Sequence, residues 1–169
     1  MRFLVLIILS ISFGVQASNL DFKVDEGFMG AKWLDSEEEV IKALGEPNGK
    51  FKINKNRTLL IYGKSLSLLI SRSQLREIKI GDVFSFNYRD LPLTKNSNFV
   101  GSNFTINGER FIEEDFSQVQ KALGIELGEP DYNKNVGTDD VAITLSFSSM
   151  SMGGGDSFRL GSATFTYQL

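Results

Sequence analysis

Apolar residues fall on a helical period at two places in the chain. Val40, Ala43 and Leu44 share one face at three- and four-residue spacing, and so do Val119, Ala122 and Leu123. At an offset of 79, Val40, Lys42, Ala43, Leu44 and Gly45 align with Val119, Lys121, Ala122, Leu123 and Gly124. Ser36 and Glu39 have the spacing of a capping box, hydroxyl to the third amide and carboxylate back to the cap. Asp115 and Gln118 stand at the same offset with side chains able to do the same job. Gly45 and Gly124 suit the left-handed residue that ends a helix, and Pro47 and Pro130 forbid its continuation. The pattern predicts two short helices, over 37–44 and 116–123, each opening a copy of a duplicated unit. The stretch 125–128 is an insertion in the second copy that lengthens only the exit, where length is tolerated.

After each helix the period changes to two. The first unit continues with "TLLIYG" (58–63), "SLSLLIS" (65–71) and "QLREIKI" (74–80), and the second with "VAITLSFSS" (141–149) and "FRLGSATFTYQL" (158–169). Gly63-Lys64 and Ser71-Arg72-Ser73 read as tight turns. Between the units, "VFSFNY" (83–88) places Phe84, Phe86 and Tyr88 on one face of a strand, 91–98 is loop, and "NFTIN" (103–107) is a further strand. The expected fold is α+β: two tandem helix-plus-antiparallel-strand units forming one sheet, with the helices packed on one side. The first unit covers 18–82, the strand and connecting loop 83–103, and the second unit 104–169.

A helix closed by "ALGEP" and followed by a turn and antiparallel strands resembles two families. One is the small-protein-A or BamE-type envelope proteins; the other is the tandem-repeat β-lactamase inhibitory proteins. The resemblance covers about 27–82 and 104–169 and implies a helix-plus-sheet unit, two of which join into a concave sheet in the inhibitors. BamE-type proteins are lipid-anchored through a cysteine, and the inhibitors carry a disulfide in each unit. This chain contains no cysteine. No partner-contacting residue of either family maps onto a position here.

The first 17 residues read as an export signal, with Arg2 as the positive end, an apolar run to Phe13, and a small-x-small site at Val15-Gln16-Ala17. Cleavage after Ala17 removes one of 18 basic residues, leaving 17 against 21 acidic in a mature chain that starts at Ser18. The expected compartment is the periplasm, with no transmembrane segment after cleavage and no lipid anchor. An acidic exported chain lacks the basic footprint that nucleic acid requires.

The absence of histidine and cysteine removes Ser-His-Asp and Cys-His catalysis and every zinc site built on imidazole or thiolate. "GDSF" (155–158) therefore has no histidine to activate Ser157. The acidic clusters at 35–39 and 113–115 sit at helix N-termini, where exposed amides favour negative charge. The expectation is a non-enzyme, with a histidine-free hydrolase as the alternative. Asp131, Asn133 and Asn135 alternate as in a calcium loop, which makes them a calcium candidate. Gly137 falls one residue late for that loop's turn, and Ala142 stands where its glutamate belongs.

Charge is divided unevenly. Residues 50–79 hold eight basic side chains against one acid, Glu77, whereas 83–169 hold 6 basic and 11 acidic. A surface polarised in this way steers a charged partner. Lys64, Arg72, Arg76 and Arg89, with the aromatics Phe84, Phe86 and Tyr88, are the candidate partner-binding residues, since arginine beside aromatics is the usual hot-spot composition. The expected function is an exported protein-binding module of inhibitor or immunity type, engaging another exported or envelope protein. A BamE-type assembly scaffold and a small-ligand or calcium binder are the alternatives.

Overall fold

A computed structural model describes residues 20–82, 99, 103–151 and 156–168. The two helices lie where the pattern places them, α1 at Glu37–Leu44 and α2 at Phe116–Leu123. The Ser36 hydroxyl accepts from the Glu39 amide while the Glu39 carboxylate accepts from the Ser36 amide at 2.8 Å, so the first capping box is complete. The second is half made. Asp115 accepts from the Gln118 amide at 2.9 Å, but the Gln118 side chain turns away to Glu109. The inserted residues are not a loose exit either: Leu127 is buried in the core, and its amide donates to Gln120 Oε1 at 3.0 Å.

Fold class is where the expectation fails. The described residues form two sheets rather than one, and strands far outnumber the two eight-residue helices. The larger sheet has seven strands. Four come from the first half: β4 (Gly49–Asn54), β5 (Arg57–Tyr62), β6 (Leu66–Ser71) and β7 (Gln74–Gly81). Three come from the second: β10 (Asn133–Gly137), β11 (Val141–Ser151) and β12 (Asp156–Tyr167). The order is β10-β11-β12-β7-β6-β5-β4, and antiparallel pairing of β7 with β12 joins the two halves. The smaller sheet runs β3 (Ala31–Lys32), β2 (Gly27–Phe28), β1 (Leu20–Lys23), β8 (Phe104–Ile106) and β9 (Glu109–Arg110). Parallel pairing of β1 with β8 fastens the starts of both halves, and Asp21 accepts from Thr105 Oγ1 at 2.8 Å and from the Gly108 amide at 3.0 Å.

The reason is packing. One face of the large sheet presents Leu60, Leu68, Ile78, Phe165, Ile143 and their neighbours, an apolar area wider than two short helices can cover. The small sheet completes the cover. Phe22 lies 4.2 Å from Phe165 between ring centroids, and Trp33 lies 5.8 Å from Tyr167. Helices and small sheet together form the second layer over one core. Strands of two to four residues are too short to show a period, which is why β1, β2, β3 and β9 left no signal. No described helix is long and apolar enough to cross a membrane.

Candidate partner-binding surface

The strands fix which side chains share the face of the large sheet turned away from the core. One row across the ladder reads Asn135, Thr144, Thr164, Lys79, Ser67, Ile61 and Gly49. The next reads Gly137, Ala142, Thr166, Glu77, Leu69, Leu59 and Phe51. This face is hydroxyl- and amide-rich over β10–β12, carries Glu77 and Lys79 at the junction, and turns apolar over β4–β6. Burial raises the Glu77 carboxyl above its ordinary range, while Arg57 and Lys79 pull it back.

The candidate residues are dispersed over this frame. Lys64 sits in the exposed β5–β6 turn and Arg72 in the β6–β7 turn, at opposite ends of a strand roughly 20 Å long. Arg76 is half-buried on β7: Nη2 donates to Gln74 Oε1 at 2.6 Å, and the guanidinium lies 5.8 Å from the Tyr167 ring centroid. Phe84, Phe86, Tyr88 and Arg89 lie outside the described residues, as do the expected strand at 83–88 and the expected export signal. The other aromatics separate clearly. Tyr62 is fully buried with its hydroxyl on the Gly45 carbonyl, Trp33 is buried with Nε1 on the Val24 carbonyl, and Tyr132 is exposed.

Two residues of the basic segment, Lys55 and Arg72, do come together at one end of the sheet. The Arg72 amide donates to the Asn56 carbonyl at 2.7 Å, which sets the β4–β5 and β6–β7 turns side by side. Beside them opens a cleft of about 300 Å³ lined by Glu37, Glu38, Lys55, Thr58, Ile70 and Arg72. Lys50 forms an ion pair with Glu37, which ties the edge strand to the start of α1.

Edge strand β4 holds none of the candidate residues. It is paired on one side only among the described residues, and five of its six residues are exposed. Phe51 is 37 % and Ile53 52 % exposed, set between Lys50, Lys52 and Lys55. The alternation was present in "KFKIN" (50–54), but its apolar positions face water, so it offered a run of charge rather than a core strand.

The calcium candidate takes another form. Asn133 and Asn135 belong to β10, where their side-chain oxygens accept from Ser146 Oγ and Thr144 Oγ1, and Asp131 Oδ1 accepts from the Tyr132 amide. Their alternation is the pleat of a strand rather than the wrap of a loop. No cluster of three or more acidic, histidine or cysteine side chains suited to a metal occurs among the described residues.

No family model matches this chain. No curated protein is similar to it either. Among solved structures, an extracellular protein containing an SCP domain from Bacillus anthracis str. Ames is similar over 79 % of this chain and 43 % of its own length, at 8 % identity and a TM-score of 0.40. This chain therefore spans less than half of that protein, and a likeness of that degree carries nothing over.

Proposed function

We propose that this chain is an exported, non-enzymatic protein-binding module of inhibitor or immunity type, carried to the periplasm by the signal at residues 1–17. The observation that supports the reading is β4, where Phe51 and Ile53 stand exposed on a strand that also carries Lys50 and Lys52. Exposed apolar anchors on an element that also carries charge are the composition of a protein-recognition patch. Two further features agree with it. Of the acidic groups at the helix starts, Glu39 in α1 and Asp115 in α2 are occupied with capping. The chain also offers no imidazole or thiol for catalysis.

The test is affinity capture of the mature chain, residues 18–169, from native envelope and secreted fractions, followed by reconstitution with each captured protein. The expected result is a stoichiometric complex in which an enzyme or toxin loses activity. Recovery of an outer-membrane assembly complex, its members remaining active, replaces this reading with an assembly scaffold. Failure to reconstitute any binary complex overturns it.

A further inference from the structure

We infer that β4 receives an extended, acidic segment of the partner as an eighth strand of the large sheet. This inference rests on the protein-binding reading above and specifies how binding occurs. The direction of the free backbone groups follows from the ladder. The bond from the Arg72 amide to the Asn56 carbonyl brackets the pair Arg57↔Ser71. In an antiparallel ladder such a bond flanks a pair that does not exchange hydrogen bonds. Arg57 therefore turns its own N–H and C=O toward β4, and by alternation so do Leu59 and Ile61. Their partners Asn54, Phe51 and Gly49 face inward. Lys50 and Lys52 are left with backbone groups directed outward, away from the sheet.

Lysine on an edge strand by itself discourages pairing. What distinguishes β4 is the pair of exposed apolar side chains on the same strand, Phe51 and Ile53, which a purely solvated edge would leave polar. A pairing segment would cover apolar side chains while its main chain satisfied the outward groups, the mode of strand addition to an open edge.

Charge selects the occupant. Lys52 and Lys55 form no ion pair among the described residues. A second copy of β4 would set lysine opposite lysine, and like charges directly across a ladder are unfavourable. A segment alternating acidic and apolar residues matches both features of the strand.

The experiment needs no identified partner. The mature chain, isotope-labelled, is titrated with a blocked synthetic peptide alternating glutamate with valine and threonine, and in parallel with its lysine counterpart. The expected result is binding of the acidic peptide alone, weakened by salt, with slowed hydrogen exchange at the Lys50 and Lys52 amides. Lys52→Pro removes an outward N–H without breaking an inward bond, and is expected to abolish the effect. Lys52→Glu keeps the backbone intact should proline disturb folding, and is expected to weaken binding by about tenfold or more. Exchange protection elsewhere, equal binding of both peptides, or self-association through β4 overturns the inference. If a captured partner binds both variants as tightly as the parent, strand addition is wrong while the protein-binding reading stands. If no partner is ever captured, the failure lies in that reading.

Discussion

The Tyr62 hydroxyl donates to the Gly45 carbonyl at 2.9 Å, tying the end of β5 to the residue that stops α1. The phenol is fully buried, so this bond settles both a donor and a helix-terminal acceptor away from bulk water. Tyr62→Phe is expected to cost about 1–2 kcal/mol in urea denaturation. Burial first, then the charges of Glu46 and Glu37, push the phenol up to about 12 from 10.0. A raised value means that the folded state holds its proton longer. The associated stability is full below pH 10 and is lost as pH rises toward 12. Tyr62→Phe should remove that part of the alkaline decline; an unchanged decline would assign it to other groups.

Glu77 lies on the outer face between Leu69 and Thr166, and burial raises its carboxyl despite Arg57 and Lys79. The sign is again that of a group easier to fold when protonated. Its contribution is present below the ordinary value of 4.5 and is lost as pH rises through the raised one. Glu77→Gln is expected to stabilise the protein at neutral pH and to flatten the stability profile above pH 4.5. Thermal melts across that range decide the matter, and destabilisation at pH 7 would mean that the two cations outweigh burial.

Leu127 tests the inserted residues. Its burial predicts a loss of about 2–4 kcal/mol for Leu127→Ala, since the cavity it leaves is lined by packed core. Glu126→Ala, at an exposed neighbour, should stay within about 0.5 kcal/mol. Equal effects at the two positions would return the insertion to the status of a loose exit.

Asp115 caps α2, and its carboxyl is held below the usual range by the Ser117 hydroxyl first and the Gln118 amide second. Asp115→Ala should cost about 1 kcal/mol near neutrality. A depressed value reverses the pH dependence expected for Tyr62 and Glu77. The stability Asp115 supplies is present above 3.8 and disappears as pH falls through the lowered value. The difference between parent and variant in chemical denaturation should therefore narrow in acid; a constant difference would separate the cap from the charge.

The turn between β6 and β7 uses two residues at positive φ, Arg72 at 52° and Ser73 at 64°, neither of them glycine. Ser73→Gly relieves one left-handed side chain and adds freedom to the unfolded chain. A net stabilisation of about 0.5–1 kcal/mol is expected from those opposing effects. Differential scanning calorimetry reads it directly, and a lowered melting temperature would show that the serine side chain is needed in the turn.

Local chemistry was legible wherever a few neighbouring residues decide the outcome. Both helices, the Ser36–Glu39 cap, the Asp115 cap and the long strands β5, β6, β7, β11 and β12 are determined by spacing and by punctuation at Gly45, Gly124 and the prolines. The extent of the second sheet was not. Its strands are made by turns such as Met29-Gly30 and Asn107-Gly108, and by pairing partners as remote as Leu20 and Phe104. The candidate surface divides in the same way. A basic excess over 50–79 was visible in composition, but composition cannot tell which lysine borders an open edge. That Lys64 and Arg72 stand at opposite ends of a strand, while Phe51 and Ile53 reach water, depends on which strand ends the sheet. Sequence spacing determines the local period of a chain; the partner across a ladder is chosen by long-range packing, and only the assembled sheet decides which residues are left outside it.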